Sequence, residues 1–111
     1  MKKTLKKTIN FLETDKGFET VTSKDGFAVY YKYSKELNGL WKLADGKWAD
    51  ADYQNRIETV KTKDIATMTL DDIKTYLTFI NRGERFCDGH IAQYLENGLL
   101  LKLLKRAIKL C

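Results

Sequence analysis

The stretch TLDDIKTYLTFINRGERFCDGHIAQYLENGLLLKLLKRAIKL, residues 69–110, holds the three clearest helical signals in the chain. Leu70, Ile73, Leu77 and Ile80 recur every three or four residues with Tyr76 beside them, the period that lines one face of an α-helix. Thr69 followed by Asp72 is a capping box with Asp in place of Glu or Gln, and Asp71 and Asp72 suit the positive end of the helix dipole. After a break, GHIAQYLE presents Ile91, Tyr94 and Leu95 on one face, with Asp88 placed to cap it. Asn97–Gly98 offers a left-handed stop. The last segment, LLLKLLKRAIKL, is apolar over more than half its circumference through Leu100, Leu101, Leu103, Leu104, Ala107 and Ile108. Its polar side is a basic stripe of Lys102, Lys105, Arg106 and Lys109.

Working outward, KKTLKKTINFLE sets Leu5, Ile9 and Leu12 on one helical face with lysines opposite, the pattern of a surface-docked first helix. Gly17 breaks it. Phe18 to Thr22 is rich in β-favouring residues, and Lys24-Asp25-Gly26 is a turn signal before a second aromatic, β-branched run. A short hairpin or an irregular arm is expected near residues 18–31. From Tyr33 the pattern turns helical, with Ser34 as N-cap and Leu37, Leu40, Trp41 and Ala44 on one side. A polar connector follows, carrying the buried-looking Trp48 and a short helix near Tyr53 to Val60. Asp45, Asp50 and Asp52 do not fit a calcium loop, which needs acids at its first, third and fifth positions, a central glycine and a closing glutamate. The fold expected is mostly α: a compact bundle of about four to five helices over a single domain, residues 1–111, with that hairpin or arm.

At 43% hydrophobic and 12% aromatic residues, the chain has enough apolar surface for one core and lies outside the disordered class. No run approaches the ~20 apolar residues of a membrane span, and the basic start never becomes the apolar core of a signal peptide. Cys87 and Cys111 do not form a disulfide framework. These readings place the chain in the cytoplasm with reduced thiols and no membrane partner. The formal charge of +5 is unevenly spread: the first fourteen and last fifteen residues are basic, and the middle is slightly acidic.

Residues 81–90, NRGERFCDGH, gather the only histidine, a cysteine, two arginines and two acids. Glu84, Cys87 and His90 recur every three residues and are all legitimate zinc ligands, but no second ligand pair exists and Gly89 argues against a continuous helix. Cys87 could be a nucleophile activated by Arg85 and a helix N-terminus with His90 as base, yet no third orienting group accompanies them. The reading that uses every residue is a joint between helices. In it Phe86 anchors the turn in the core and Cys87 packs as a small hydrophobe. Arg82 and Arg85 reach Glu84, Asp88 or free carbonyls, Asp88 caps, and Gly89 supplies an unusual φ or a close approach. No phosphate loop, nucleophile elbow or paired-histidine zinc motif is present.

The segment Leu77 to Leu110 resembles the C-terminal signature of a small, uncharacterised bacterial domain-of-unknown-function family. Its members carry an R-x-E-R-F-C-D-G run, followed by a leucine-rich helix. YYKYSKELNGLWKL is a looser echo of the same family. The resemblance implies a compact, mainly helical fold in which Arg82, Glu84, Arg85, Phe86, Cys87, Asp88 and Gly89 form the shared feature. It implies no activity, and an apolar residue in relatives at the position of His90 counts against a Cys87/His90 ligand pair.

The function expected is therefore a non-enzymatic interaction module of bacterial or phage type whose partner is another protein. The motive is a helical scaffold without an assembled catalytic set and a surplus of aromatics: Phe27, Tyr30, Tyr31, Tyr33, Trp41 and Trp48. The alternative is a nucleic-acid-associated protein using its basic N- and C-terminal helices, with Lys102, Lys105, Arg106 and Lys109 as contacts. No metal or other cofactor is expected, and the oligomeric state is left open.

Overall fold

The computed structural model describes residues 1–43 and 52–111. The readings of Ala44, Asp45, Trp48 and Asp50 lie outside the described residues. Among the described residues six helices and one hairpin follow in order: α1 (Lys2–Leu12), β1 (Phe18–Thr22), β2 (Val29–Tyr33), α2 (Asn38–Trp41), α3 (Tyr53–Lys61), α4 (Leu70–Gly83), α5 (His90–Glu96) and α6 (Leu99–Leu110). Short 3-10 turns at Lys35–Leu37 and Ile65–Thr67 lead into α2 and α4. The mostly α bundle with a hairpin is thus the observed architecture, the one-turn α2 bringing the helices among the described residues to six.

The capping box starts α4 as its sequence requires. Thr69 Oγ1 accepts from the Asp72 amide at 3.2 Å while Asp72 Oδ2 accepts from the Thr69 amide at 3.0 Å. Lys63 closes on the same carboxylate at 2.9 Å. Ile73, Tyr76, Leu77 and Ile80 are buried, as their spacing demands. Thr75 and Thr78, buried on the same helix, donate their hydroxyls to the carbonyls of Asp71 and Lys74 four residues back. Helix α6 contributes Leu100, Leu103, Leu104 and Ala107 to one core with Leu5, Ile9, Leu40, Val60 and Met68. Arg106 ties it further by donating from Nε to the Met68 carbonyl at 3.2 Å.

Helices α1 and α6 run antiparallel. Met1 Sδ lies 3.6 Å from Cys111 Sγ at one end of the pair, and Glu13 pairs with Lys105 at 3.1 Å towards the other. At the α5–α6 corner, Gly98 takes φ 78°, the left-handed conformation its pairing with Asn97 leads one to expect. Ser34 departs from expectation: it stands at the N-cap of the 3-10 turn, but its hydroxyl caps nothing and its carbonyl accepts from the Leu37 amide instead.

The hairpin is antiparallel, pairing Phe18 with Tyr33 and Thr22 with Val29. Asp25 orders its turn by accepting from the Ser23 hydroxyl and from the Phe27 amide. One face at the base carries Phe18, Tyr31 and Tyr33 in mutual ring contact, and Phe18 is buried. The other end points away from the core.

Candidate functional site

The joint at 81–90 is built around His90 and Glu84. Helix α4 ends at Gly83, and the ring of His90 lies over that glycine: a Cβ there would sit 2.1 Å from Nδ1. Nδ1 stands 2.9 Å from the Ile80 carbonyl, which can only accept, so that nitrogen carries the proton. The ring is held edge-on between Phe79 and Tyr94, each centroid 5.1 Å away, and Tyr76 completes the aromatic cluster.

Glu84 caps the next helix across the turn. Its Oε2 accepts from the Gly89 amide at 2.9 Å, and its Oε1 accepts from the Ile91 amide at 2.8 Å. These are amide groups at the start of α5 that the helix itself leaves unsatisfied. The Tyr33 hydroxyl donates to the same Oε1 at 2.8 Å and accepts from the Ala92 amide at 3.1 Å. One carboxylate and one phenol therefore close the α5 N-terminus and tie the hairpin base to it. Burial, and then the hydrogen bond to Glu84, push the Tyr33 phenol well above the ordinary tyrosine pKa. Gly89 enters α5 at φ 87°, and a Cβ there would meet the Tyr31 ring at 2.7 Å, so both reasons for a glycine apply at once.

Several expectations for this run are corrected. Asp88 does not cap α5: Gly89 is the N-cap, and the remote Glu84 supplies the acceptor. Phe86 does not anchor the turn, being 81% exposed, because α4 ends before it and the chain turns outward at that point. Cys87 is exposed rather than packed. Arg85 and Asp88 are exposed and form no ion pair among the described residues. Arg82 lies instead beside Tyr53, in a cleft of about 330 Å3 whose lining includes Phe79, Gly83 and Phe86.

Glu84, Cys87 and His90 do not converge. The Glu84 oxygens accept from amides and a phenol, the imidazole is packed edge-on between rings, and the Cys87 thiol faces outward with the Asp88 carbonyl 3.9 Å away. Among the described residues, no group of three His, Cys, Asp or Glu side chains could hold a metal ion. No helix among them is long and apolar enough to cross a membrane. On the stripe of α6, Lys102, Lys105 and Lys109 are exposed, whereas Arg106 is half-buried against Met68.

Among the described residues the largest apolar exposure is on the distal hairpin: Phe27 is 93% exposed, Val29 58% and Tyr30 49%. Its backbone is also open. The bonds Ser34 to Gly17 and Ser23 to Ala28 fix which cross-strand pairs are hydrogen-bonded, so Thr20 and Thr22 on one edge, and Val29 and Tyr31 on the other, aim their N–H and C=O groups outward. Those groups meet no partner among the described residues. Sequence reasoning singled out the aromatics of this segment without separating Tyr33, which clamps, from Phe27 and Tyr30, which are presented. The alternation along β2 was the one signal available, since it puts Tyr31 and Tyr33 on one face and Tyr30 on the other.

The chain belongs to the family of unknown function DUF6508, whose profile matches residues 18–111, from the first residue of β1 onward. No curated protein and no solved structure matches it.

Proposed function

We propose that this member of the DUF6508 family is a non-enzymatic interaction module. It captures an extended segment of another protein along the open β1 edge, at Thr20 and Thr22, and the apolar tip of the β1–β2 hairpin. The single observation behind this reading is the coincidence of Phe27, Val29 and Tyr30, all largely in solvent, with two unpaired strand edges. Two strands alone make a marginal sheet, and an added strand supplies both the missing ladder and cover for the apolar side chains. Tyr33 and Glu84 support it from below: they fix the base of the hairpin to α5, so the arm is presented in one orientation. Within the Arg82–Gly89 run, which we read as the family signature, Glu84 and Gly89 are the positions that serve this attachment, and the exposed Phe86 is a second contact of the same module.

Affinity capture from the native host, comparing wild type with Phe27→Asp/Tyr30→Asp, tests the tip, and Thr20→Pro tests the edge. Proline at position 20 removes an outward N–H and leaves the internal ladder intact. A protein retained by wild type, lost by the double variant and weakened by Thr20→Pro is the expected result. Retention of the same proteins by Phe27→Asp/Tyr30→Asp overturns the reading. So does sedimentation of the purified chain as a dimer that the double variant disrupts, because the occupant of the edge would then be a second copy.

A further inference from the structure

The two basic ends of the chain, a hundred residues apart in sequence, form one surface in the fold. From this we infer that the outer face of the α1–α6 pair binds the phosphate backbone of duplex nucleic acid, without reading sequence. Lys6 and Lys2 lie seven and eleven residues before Glu13, close to two and three helical turns, so the three share one stripe of α1. Glu13 pairs with Lys105, which sets that stripe alongside the outer row of α6. Because the helices are antiparallel, Lys109 continues the row towards the start of α1, while Lys102 continues it the other way. Lys3 and Lys7 extend the face around α1, and all seven lysines are exposed.

Charge is concentrated here to an unusual degree. Residues 2–13 and 99–110 hold eight cations and one acid, +7 against a total of +5, which leaves −2 on the rest of the chain. From Lys102 to Lys109 the row spans about 10 Å at 1.5 Å per residue, the axial length of three phosphates on one strand. The apolar sides of both helices are already spent in the core through Leu5, Ile9, Leu100, Leu103 and Leu104, so neither helix has a face left to insert into a lipid surface. The face also carries no exposed aromatic on which unpaired bases could stack, and this favours duplex over single strand. The surface is separate from the hairpin edge and stands or falls independently of it.

Fluorescence anisotropy with a labelled mixed-sequence 20-base-pair DNA duplex reads this directly, beside flotation with vesicles containing phosphatidylserine. With four phosphates neutralised at a time, binding should weaken roughly 100–200-fold between about 50 and about 200 mM salt. Lys2→Gln/Lys6→Gln and Lys102→Gln/Lys105→Gln/Lys109→Gln should each lower affinity and flatten the salt dependence, because both helices supply one face. Phe27→Asp/Tyr30→Asp and Lys24→Gln/Lys32→Gln, exposed positions on the hairpin rather than on α1 or α6, should bind as wild type. The substituted lysines are solvent-exposed, and circular dichroism verifies that each variant is folded. Absence of duplex binding at about 25 mM salt, where counterion release favours it most, overturns the inference. So does binding that both lysine sets leave unchanged, or vesicle flotation without duplex binding.

Discussion

Removing the Glu84 side chain should unfold the chain more readily than any other surface carboxylate change. Glu84→Ala deletes the acceptor for the Gly89 and Ile91 amides and for the Tyr33 hydroxyl, three bonds of 2.8–2.9 Å. A hydrogen bond to a charged group contributes about 1.5–3 kcal/mol net, but the three share one half-exposed carboxylate, and water can replace part of what is lost. We therefore expect a total of about 2–3 kcal/mol, at or above the upper limit of the roughly 0.5–2 kcal/mol that a lost N-cap costs. For a domain of this size that lowers Tm by roughly 8–13 °C. Thermal and urea unfolding followed by circular dichroism would measure it, the m-value staying constant if the transition remains two-state. Glu84→Gln keeps one carbonyl oxygen and should lose about half as much, whereas Asp88→Ala should change stability by less than about 0.5 kcal/mol. A Glu84→Ala variant within about 0.5 kcal/mol of wild type would refute the clamp, and Asp88→Ala as the costlier change would restore the local cap that the sequence suggests.

Phe86→Ala should cost less than about 1 kcal/mol, because its ring is 81% exposed and leaves no cavity; a loss of about 3–5 kcal/mol on chemical denaturation would place it in the core. Gly83→Ala reverses the usual sign: alanine favours a helix by about 1 kcal/mol over glycine, but here its Cβ collides with the His90 ring, so a net loss of about 1–3 kcal/mol is expected from urea titration. The raised phenols of Tyr33, Tyr53, Tyr76 and Tyr94 make stability fall at alkaline pH. Their neutral forms are favoured in the fold, so this contribution is complete below the ordinary value of about 10 and is lost as pH rises through the folded values. Tyr33→Phe should flatten that decline, measured as Tm between about pH 9 and about pH 11, and an unchanged slope would mean that the fold does not hold this phenol in its neutral form.

The helices were legible in the sequence because their signals are local. Thr69 and Asp72 cap each other within one turn, Gly98 stops α5 by its own φ, and the period of Leu100, Leu103, Leu104 and Ala107 is the core face itself. The joint was less legible because its central contact is not local: Tyr33 and Glu84 are 51 residues apart, and no pattern in either segment announces the other. Asp88 had the right chemistry for a cap, but Gly89 takes that place in a left-handed conformation, and Glu84 reaches the free amides across the turn. Phe86 was misplaced because an apolar side chain is assigned inward by default, and only the end of α4 at Gly83, which the His90 ring requires, sends it out. In the hairpin, composition showed an excess of aromatics, while their division into clamp and tip depends on register.

The most direct test of the hairpin's role is site-specific photocrosslinking in living cells. A photoreactive phenylalanine analogue replaces Phe27 and, as a control, Glu58, an exposed position on α3. A discrete adduct with one other protein at position 27, absent at position 58 and weakened by Thr20→Pro, is the predicted result. No adduct at position 27, or the same adducts at both positions, would contradict it.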